Sequence, residues 1–270
     1  MGKQIRNLPH ALTDAEELNE RLEGKRPAVF LDYDGTLTPI VDRPEEALIS
    51  EGMRNAVRGL AKRCPVVVVS GRDRRVVQEL MGIDDLIVAG SHGFDIWSPA
   101  GGAIEREEGA GFEGLLDEVK ARLRAETSSI KGALVEPKKT SVAVHYRLVS
   151  GEERQRVKEI VDEVLAEHPD GLKVTPGKMV YEVQPKIEWD KGKAVLYLLE
   201  ALDLDREDVV PIYLGDDITD EDAFEALEGR GVGIFVGRAD DPEVSGRTTS
   251  ADYVLHSTQE VERFLDTLAR

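Results

Sequence analysis

The chain has 270 residues, 41% apolar and 33% charged, with 35 basic against 53 acidic side chains and a net charge of −18. That length suffices for one large domain or two ordinary ones, and the composition belongs to a folded globular protein rather than an unstructured chain. An acidic chain without a basic stripe argues against nucleic acid as a partner, and binding a phosphorylated substrate would require local charge neutralisation, most simply by a metal ion.

Met1 to Glu23 is polar and charged, with no apolar run of signal-peptide length. No stretch approaches the ~20 apolar residues of a membrane span. The expectation is a cytoplasmic protein with no membrane partner. The first apolar run, Ala28 to Leu31, reads as a strand and is followed by a helical segment from Met53 to Lys62. Cys64, the one cysteine, precedes the second run, Val66 to Val69. It can form no disulfide within the chain and reads as a small buried hydrophobe. A helix from Asp73 to Met81 and a third run, Leu86 to Ala89, come next. These runs lack polar alternation and are rich in β-branched residues, the pattern of parallel strands covered on both faces.

The middle of the chain changes character. Phe112, Leu115, Leu116, Val119 and Leu123 follow helical spacing, as do Val157, Ile160, Val161, Val164 and Leu165. Between them Val142, Val144 and Tyr146 alternate with Ser141, Ala143, His145 and Arg147, and later Met179, Tyr181 and Val183 alternate with Val180 and Glu182. Those are half-exposed antiparallel strands. An α+β unit of about 107–185 thus interrupts an α/β core of residues 1–106 and 186–270. Gly101, Gly102 and the stretch from Gly109 to Gly111 suit the entry hinge, and Pro185 suits the exit. The pattern then returns, with a helix from Lys191 to Leu202 and buried runs at Ile212 to Leu214 and Gly233 to Val236. Alternating strand and helix predicts a doubly wound α/β fold with a parallel sheet.

Four motifs sit beside these elements. Asp32-Tyr33-Asp34-Gly35-Thr36 follows the first strand directly, at the carboxyl rim where open α/β sheets bind ligands. Asp32 and Asp34, two apart on a strand, point the same way, and two such carboxylates suit one nucleophile and one general acid/base. Gly35 lets the backbone turn sharply. Ser70-Gly71-Arg72 ends the second strand, where a hydroxyl and backbone N–H groups can hold phosphoryl oxygens; alone it is also an ordinary βα turn. Asp190-Lys191-Gly192-Lys193 opens a helix, and either lysine could reach a phosphate as a point charge. Gly215-Asp216-Asp217-Ile218-Thr219-Asp220 crowds carboxylates at another strand end, and Asp216 and Asp217 offer the hard oxygens that Mg²⁺ prefers. Asp220 and Glu221 read as ordinary acids of a helix start. Together the four motifs point to metal-assisted transfer of a phosphoryl group to a carboxylate.

In this order, D-x-D-G-T, S-G-R, K-G and G-D-D-x-x-D resemble the motifs of the haloacid dehalogenase superfamily. The resemblance implies a Rossmann-like core with Asp32 as nucleophile, Asp34 as general acid and base, and Ser70 and Lys191 holding the phosphoryl group. It selects Lys191 over Lys193. It also implies Mg²⁺ on Asp32, the Asp34 carbonyl and Asp216. The segments DYDGTLTPI, SGRD, AGSHGFDI, VEPKKTSVAVHYR and GDDITDEDAF are similar to those of trehalose-6-phosphate phosphatases. That likeness implies a C2-type cap inserted after the third core strand and hydrolysis of trehalose 6-phosphate. It places Glu136, Lys138 and Glu182 on the sugar, with Arg72, His92 and Gly93 among the substrate contacts. His145 and the tryptophans Trp97 and Trp189 read as structural. No synthase domain is attached, so a trehalose-6-phosphate synthase is expected as a separate chain. Other enzymes of the same cap class stay open, acting on sucrose phosphate or glucosyl- or mannosylglycerate phosphate. So do a phosphohexomutase and a silent sugar-phosphate-binding regulatory protein.

Overall fold

The computed structural model describes residues 2–99, 105–107 and 111–270. Of the expected entry hinge, Gly101, Gly102 and Gly109 lie outside the described residues, while Gly111 has a left-handed backbone, φ 96°. The chain forms two compact units, one of Met1–Arg106 with Asp190–Arg270 and one of Glu107–Trp189.

In chain order the first stretch contains β1 (Lys3–Gln4), α1 (Glu16–Leu22), β2 (Arg26–Leu31), α2 (Glu51–Ala61), β3 (Val66–Val69), α3 (Arg74–Met81), β4 (Ile87–Gly90), β5 (Asp95–Trp97) and β6 (Glu105–Glu107). The middle contains α4 (Glu113–Thr127), β7 (Leu134–Pro137), β8 (Val142–His145), α5 (Gly151–Glu167), β9 (Leu172–Gly177) and β10 (Val180–Pro185). The last stretch contains α6 (Lys191–Ala201), β11 (Val209–Gly215), α7 (Ile218–Ala226), β12 (Val232–Val236), β13 (Thr248–Thr249), β14 (Tyr253–Leu255) and α8 (Thr258–Leu268).

The first unit is built on an eight-stranded sheet of order β14-β12-β11-β2-β3-β4-β5-β6. From β14 to β4 neighbouring strands are parallel, and β5 turns back antiparallel on β4. Every residue of β3, β11 and β12 is buried, which is why these strands read as unbroken apolar runs. Helices supply the covering stripes. Met53, Ala56, Val57 and Leu60 of α2 are the buried residues of that helix, which starts where Ser50 accepts a hydrogen bond from the Met53 N–H at 3.0 Å. They pack with Leu31, Val68, Ile212, Leu214, Ile234 and Leu265 in one core. β2 lies mid-sheet between β11 and β3, so its carboxyl end, and with it Asp32, is flanked by strand ends on both sides.

The second unit is an antiparallel sheet of order β7-β8-β10-β9. One face carries Val135, Val142, Val144 and Val183, which pack with Leu116, Val119 and Leu123 of α4 and Val157, Ile160 and Val161 of α5. The unit runs past Pro185 to Trp189. The Lys186 N–H bonds the Gly171 carbonyl, and Lys173 donates to the carbonyls of Ile187 and Trp189. Among the described residues no helix is long and apolar enough to cross a membrane.

Cys64 lies at the edge of the first unit's core, and burial pushes its thiol up to about 11. At pH 8 the native protein is expected to react with a disulfide reagent about a hundredfold more slowly than the urea-unfolded chain, because only the thiolate attacks. Stopped-flow labelling measures the ratio.

Candidate active site

The carboxyl ends of β2, β3 and β11 and the start of α6 bring the four motifs together. The pairing of β2 with β11 extends one step past the strand, where the Asp32 N–H donates to the Leu214 carbonyl at 2.9 Å. Asp32 is buried, and its Oδ1 accepts from Lys191 Nζ at 2.7 Å. The same ammonium donates to Asp220 Oδ1 at 2.7 Å. Lys191 is buried, whereas the Lys193 side chain is 45% exposed and 3.5 Å from Asp190. The structure therefore sets the two lysines apart, and Gly192 shows how. A Cβ at Gly192 would stand 2.2 Å from the Asp222 carbonyl oxygen, so only glycine lets α6 lie against α7 this closely.

Asp220, by sequence an ordinary acid of a helix start, joins this group. It is fully buried; Oδ1 accepts from Lys191 and from the Tyr213 hydroxyl at 2.7 Å, and Oδ2 accepts the backbone N–H groups of Asp216 and Asp217 at 2.9 Å. Its place in the first turn of α7 is legible in the sequence, and the structure makes it half of a capping box with Asp217. Its bond to Lys191, 29 positions away, is not legible there. Asp217 is the N-cap of α7, accepting from the Ile218 N–H at 2.7 Å, with Arg247 3.9 Å away.

Asp32, Asp216 and Asp220 are all buried and offer oxygens within 4.8 Å of one another; Asp217 is not one of the three. Burial raises the proton affinity of Asp32 well above the carboxylate range; Lys191 opposes this, and Asp220 and Asp216 add to it. Burial would raise Asp220 too, but Lys191 and its other donors hold it low. Lys191 itself is held well above its usual range: burial lowers it, and Asp220 and Asp32 outweigh that. One ammonium thus serves two of the three carboxylates, Asp32 and Asp220, and the second of these has further donors of its own. Asp32 is the less stabilised of the two as an anion. Buried, hard, anionic oxygens in this number fit Mg²⁺, which binds one or two carboxylates directly and keeps waters.

Asp34 has a different partner. Both its oxygens accept from Arg72, at 2.7 Å from Nε and 2.6 Å from Nη2. The guanidinium lies 5.4 Å from the Tyr33 ring centre, and the Tyr33 hydroxyl donates to the Ala47 carbonyl at 2.9 Å. Burial pushes that phenol up to about 12. Ser70 is buried; its Oγ accepts from the Arg72 N–H at 3.2 Å and its carbonyl from the His92 N–H at 2.8 Å. Ser91 and His92 both have left-handed backbones, φ 49° and 57°, an uncommon cost for non-glycine residues at a strand end. Gly93 follows at φ 89°, and a Cβ on Gly71 would stand 2.7 Å from the His92 imidazole. So Arg72, His92 and Gly93 all lie with Ser70 at one rim.

The second unit assembles its own polar group. Lys138 donates to Glu182 Oε2 at 2.9 Å, and Ser141 Oγ donates to Glu182 Oε1 at 2.6 Å. Glu136 Oε2 is 2.7 Å from His145 Nε2, so His145 is not merely a packing residue.

The family model for trehalose-phosphatase matches residues 30–259. The chain is 42% identical over 283 residues to trehalose 6-phosphate phosphatase RA3 of Zea mays, covering 99% of this chain and 76% of that one. It is 41% identical over 270 residues to the trehalose-phosphate phosphatase of Mycobacterium bovis, covering 99% and 67%. Its fold matches the C-terminal domain of Candida albicans trehalose-6-phosphate phosphatase with a TM-score of 0.80 at 24% identity, covering 97% of this chain and 98% of that one.

Gly35 carries a direct test of the carboxylate cluster. Its φ is 82°, and an added Cβ would stand 2.1 Å from Asp216 Oδ2. Gly35→Ala is expected to weaken Mg²⁺ binding at least about tenfold by isothermal titration and to cost roughly 1 kcal/mol or more of stability in a urea melt.

Proposed function

We propose that this chain, which belongs to the trehalose-phosphatase family and is a phosphoric monoester hydrolase, hydrolyses trehalose 6-phosphate to trehalose and inorganic phosphate. The observation that carries the reading is the Asp32 carboxylate at the rim of β2, with Oδ1 fixed by Lys191 and Asp34 two residues on.

In the proposed reaction an oxygen of Asp32 attacks phosphorus in line with the sugar ester oxygen. The new O–P bond makes an aspartyl-phosphate as the ester P–O bond breaks, and Asp34 delivers a proton to the leaving oxygen. Asp34 then takes a proton from water, the hydroxide attacks the same phosphorus, and phosphate leaves with Asp32 restored. Both oxygens of Asp34 accept from Arg72 in this structure, so proton transfer requires one of those bonds to yield. Lys191 and Ser70 hold the phosphoryl oxygens. Asp32, Asp216 and the Asp34 carbonyl would hold Mg²⁺, which when bound neutralises charge on the phosphoryl group and favours the ionised form of Asp32. Asp220, with four donors already, anchors Lys191 and the turn from β11 to α7.

Sugar recognition is proposed for Glu136, Lys138 and Glu182 of the second unit, with His92 and Gly93 as further contacts. The proposed setting is the cytoplasm, with substrate supplied by a separate trehalose-6-phosphate synthase.

A malachite-green assay against trehalose 6-phosphate, sucrose 6-phosphate, glucosyl-3-phosphoglycerate and glucose 6-phosphate decides the substrate. Phosphate is expected from trehalose 6-phosphate above all others, lost with EDTA and restored by Mg²⁺. Asp32→Asn is expected to lower kcat at least about a thousandfold with the fold retained by circular dichroism. Release from another sugar phosphate alone would overturn the substrate; release from none would favour a regulatory protein.

A further inference from the structure

β7 and β8 run antiparallel with Leu134 opposite His145 and Glu136 opposite Ala143. Glu136 and His145 therefore share a face, one diagonal step apart. The other face is the apolar one, where Val135, Val142 and Val144 pack with residues of α4 and α5. The His145 side chain is 24% exposed and that of Glu136 34% exposed. A hydrogen bond here is not forced by burial, as it is for Glu182, whose side chain is 7% exposed and held at both oxygens. The contact of 2.7 Å between His145 Nε2 and Glu136 Oε2 fixes the roles. An ionised carboxylate only accepts, so Nε2 carries the proton and donates.

We propose that His145 is a positioning residue for Glu136. It holds the Glu136 carboxylate in the orientation that accepts sugar hydroxyls, and so sets affinity for the sugar part of the substrate without touching the phosphoryl group. A free glutamate side chain would have to be ordered by each arriving ligand; one already tethered by a charge-assisted bond is not. The inference rests on the reading of Glu136 as a sugar contact.

The test is a double-mutant cycle read on two substrates. KM and kcat are measured for trehalose 6-phosphate and for p-nitrophenyl phosphate, which has no sugar. The proteins are the wild type, His145→Asn, His145→Gln, Glu136→Ala and the double variant His145→Asn with Glu136→Ala. Asparagine is too short to reach Glu136, whereas glutamine keeps an N–H donor within reach. His145→Asn is expected to raise KM for trehalose 6-phosphate about tenfold, the size of one charge-assisted hydrogen bond. Its kcat, and both constants for p-nitrophenyl phosphate, are expected within about twofold of the wild type. His145→Gln should recover most of the loss. In the Glu136→Ala background, His145→Asn should change KM less than about twofold. Additive effects, an unchanged KM in His145→Asn, or equal loss on both substrates would overturn the proposal. If His145→Asn does not fold, full loss in a folded His145→Gln would overturn it and retention near wild type would support it. Should the wild type act on a different sugar phosphate, the substrate reading fails, and the same cycle on that compound still decides the role of His145.

Discussion

Lys191 is 3% exposed and gives hydrogen bonds of 2.7 Å to two carboxylates that are themselves buried. Taking an ammonium out of water costs several kcal/mol unless such partners are present, and removing one of them leaves the other charges uncompensated. Much of the first unit can be read as the means of keeping that arrangement. The two-sided burial of β2 and β11 supplies the low-dielectric rim. Gly192 lets α6 approach α7, the capping box fixes Asp220, and Tyr213, buried within β11, adds a further donor to it. The cluster still carries more acid than base, and this excess is what makes it suited to a divalent cation and a phosphoryl group rather than to a purely structural role.

The second unit solves a different problem with a similar device. Its sheet has one apolar face closed by two helices and one face where Glu136, Lys138, Ser141, His145 and Glu182 pair among themselves. Such pairing keeps charged side chains ordered, and under the sugar-binding role proposed for them it lowers the cost of arranging them.

Much of this was legible in the sequence because the relevant signals are local. Val66 to Val69 and Ile212 to Leu214 announce buried strands by composition, and the alternation from Ser141 to Arg147 separates the two faces of β8, although the expected half-exposure fails: Ser141 and Ala143 on the polar face are buried as well as Val142 and Val144. Asp32, Ser70 and the pairs Lys191/Lys193 and Asp216/Asp217 stand at element ends; position alone does not choose within either pair, and the family resemblance is what selects Lys191 and Asp216. The unread features depend on contacts across the chain. Asp220 looked like any acid at a helix start, which it is, and its second role appears only when Lys191 is brought to it. The bond between His145 and Glu136 is not visible in the sequence, because the diagonal step depends on the register of β7, a strand whose short run gives no signal of its own. Asp217 had the same local appearance as Asp216; the cap geometry of α7 is what turns one toward the helix and leaves the other beside Asp32.

The strand order has a consequence for how the chain acquires this site during synthesis. β2 is made early, yet one of its two neighbours, β11, lies beyond the whole second unit, and Lys191 is 159 positions from Asp32. As the polypeptide leaves the ribosome, β7 to β10 pair only with one another and can close their sheet first. β2 meanwhile waits with an unpaired edge on the β11 side. Long-range parallel pairing of this kind forms slowly, and an apolar strand with an open edge is a site for capture by another chain. The catalytic rim therefore cannot close until residues 209–215 have been made, after the whole of the second unit.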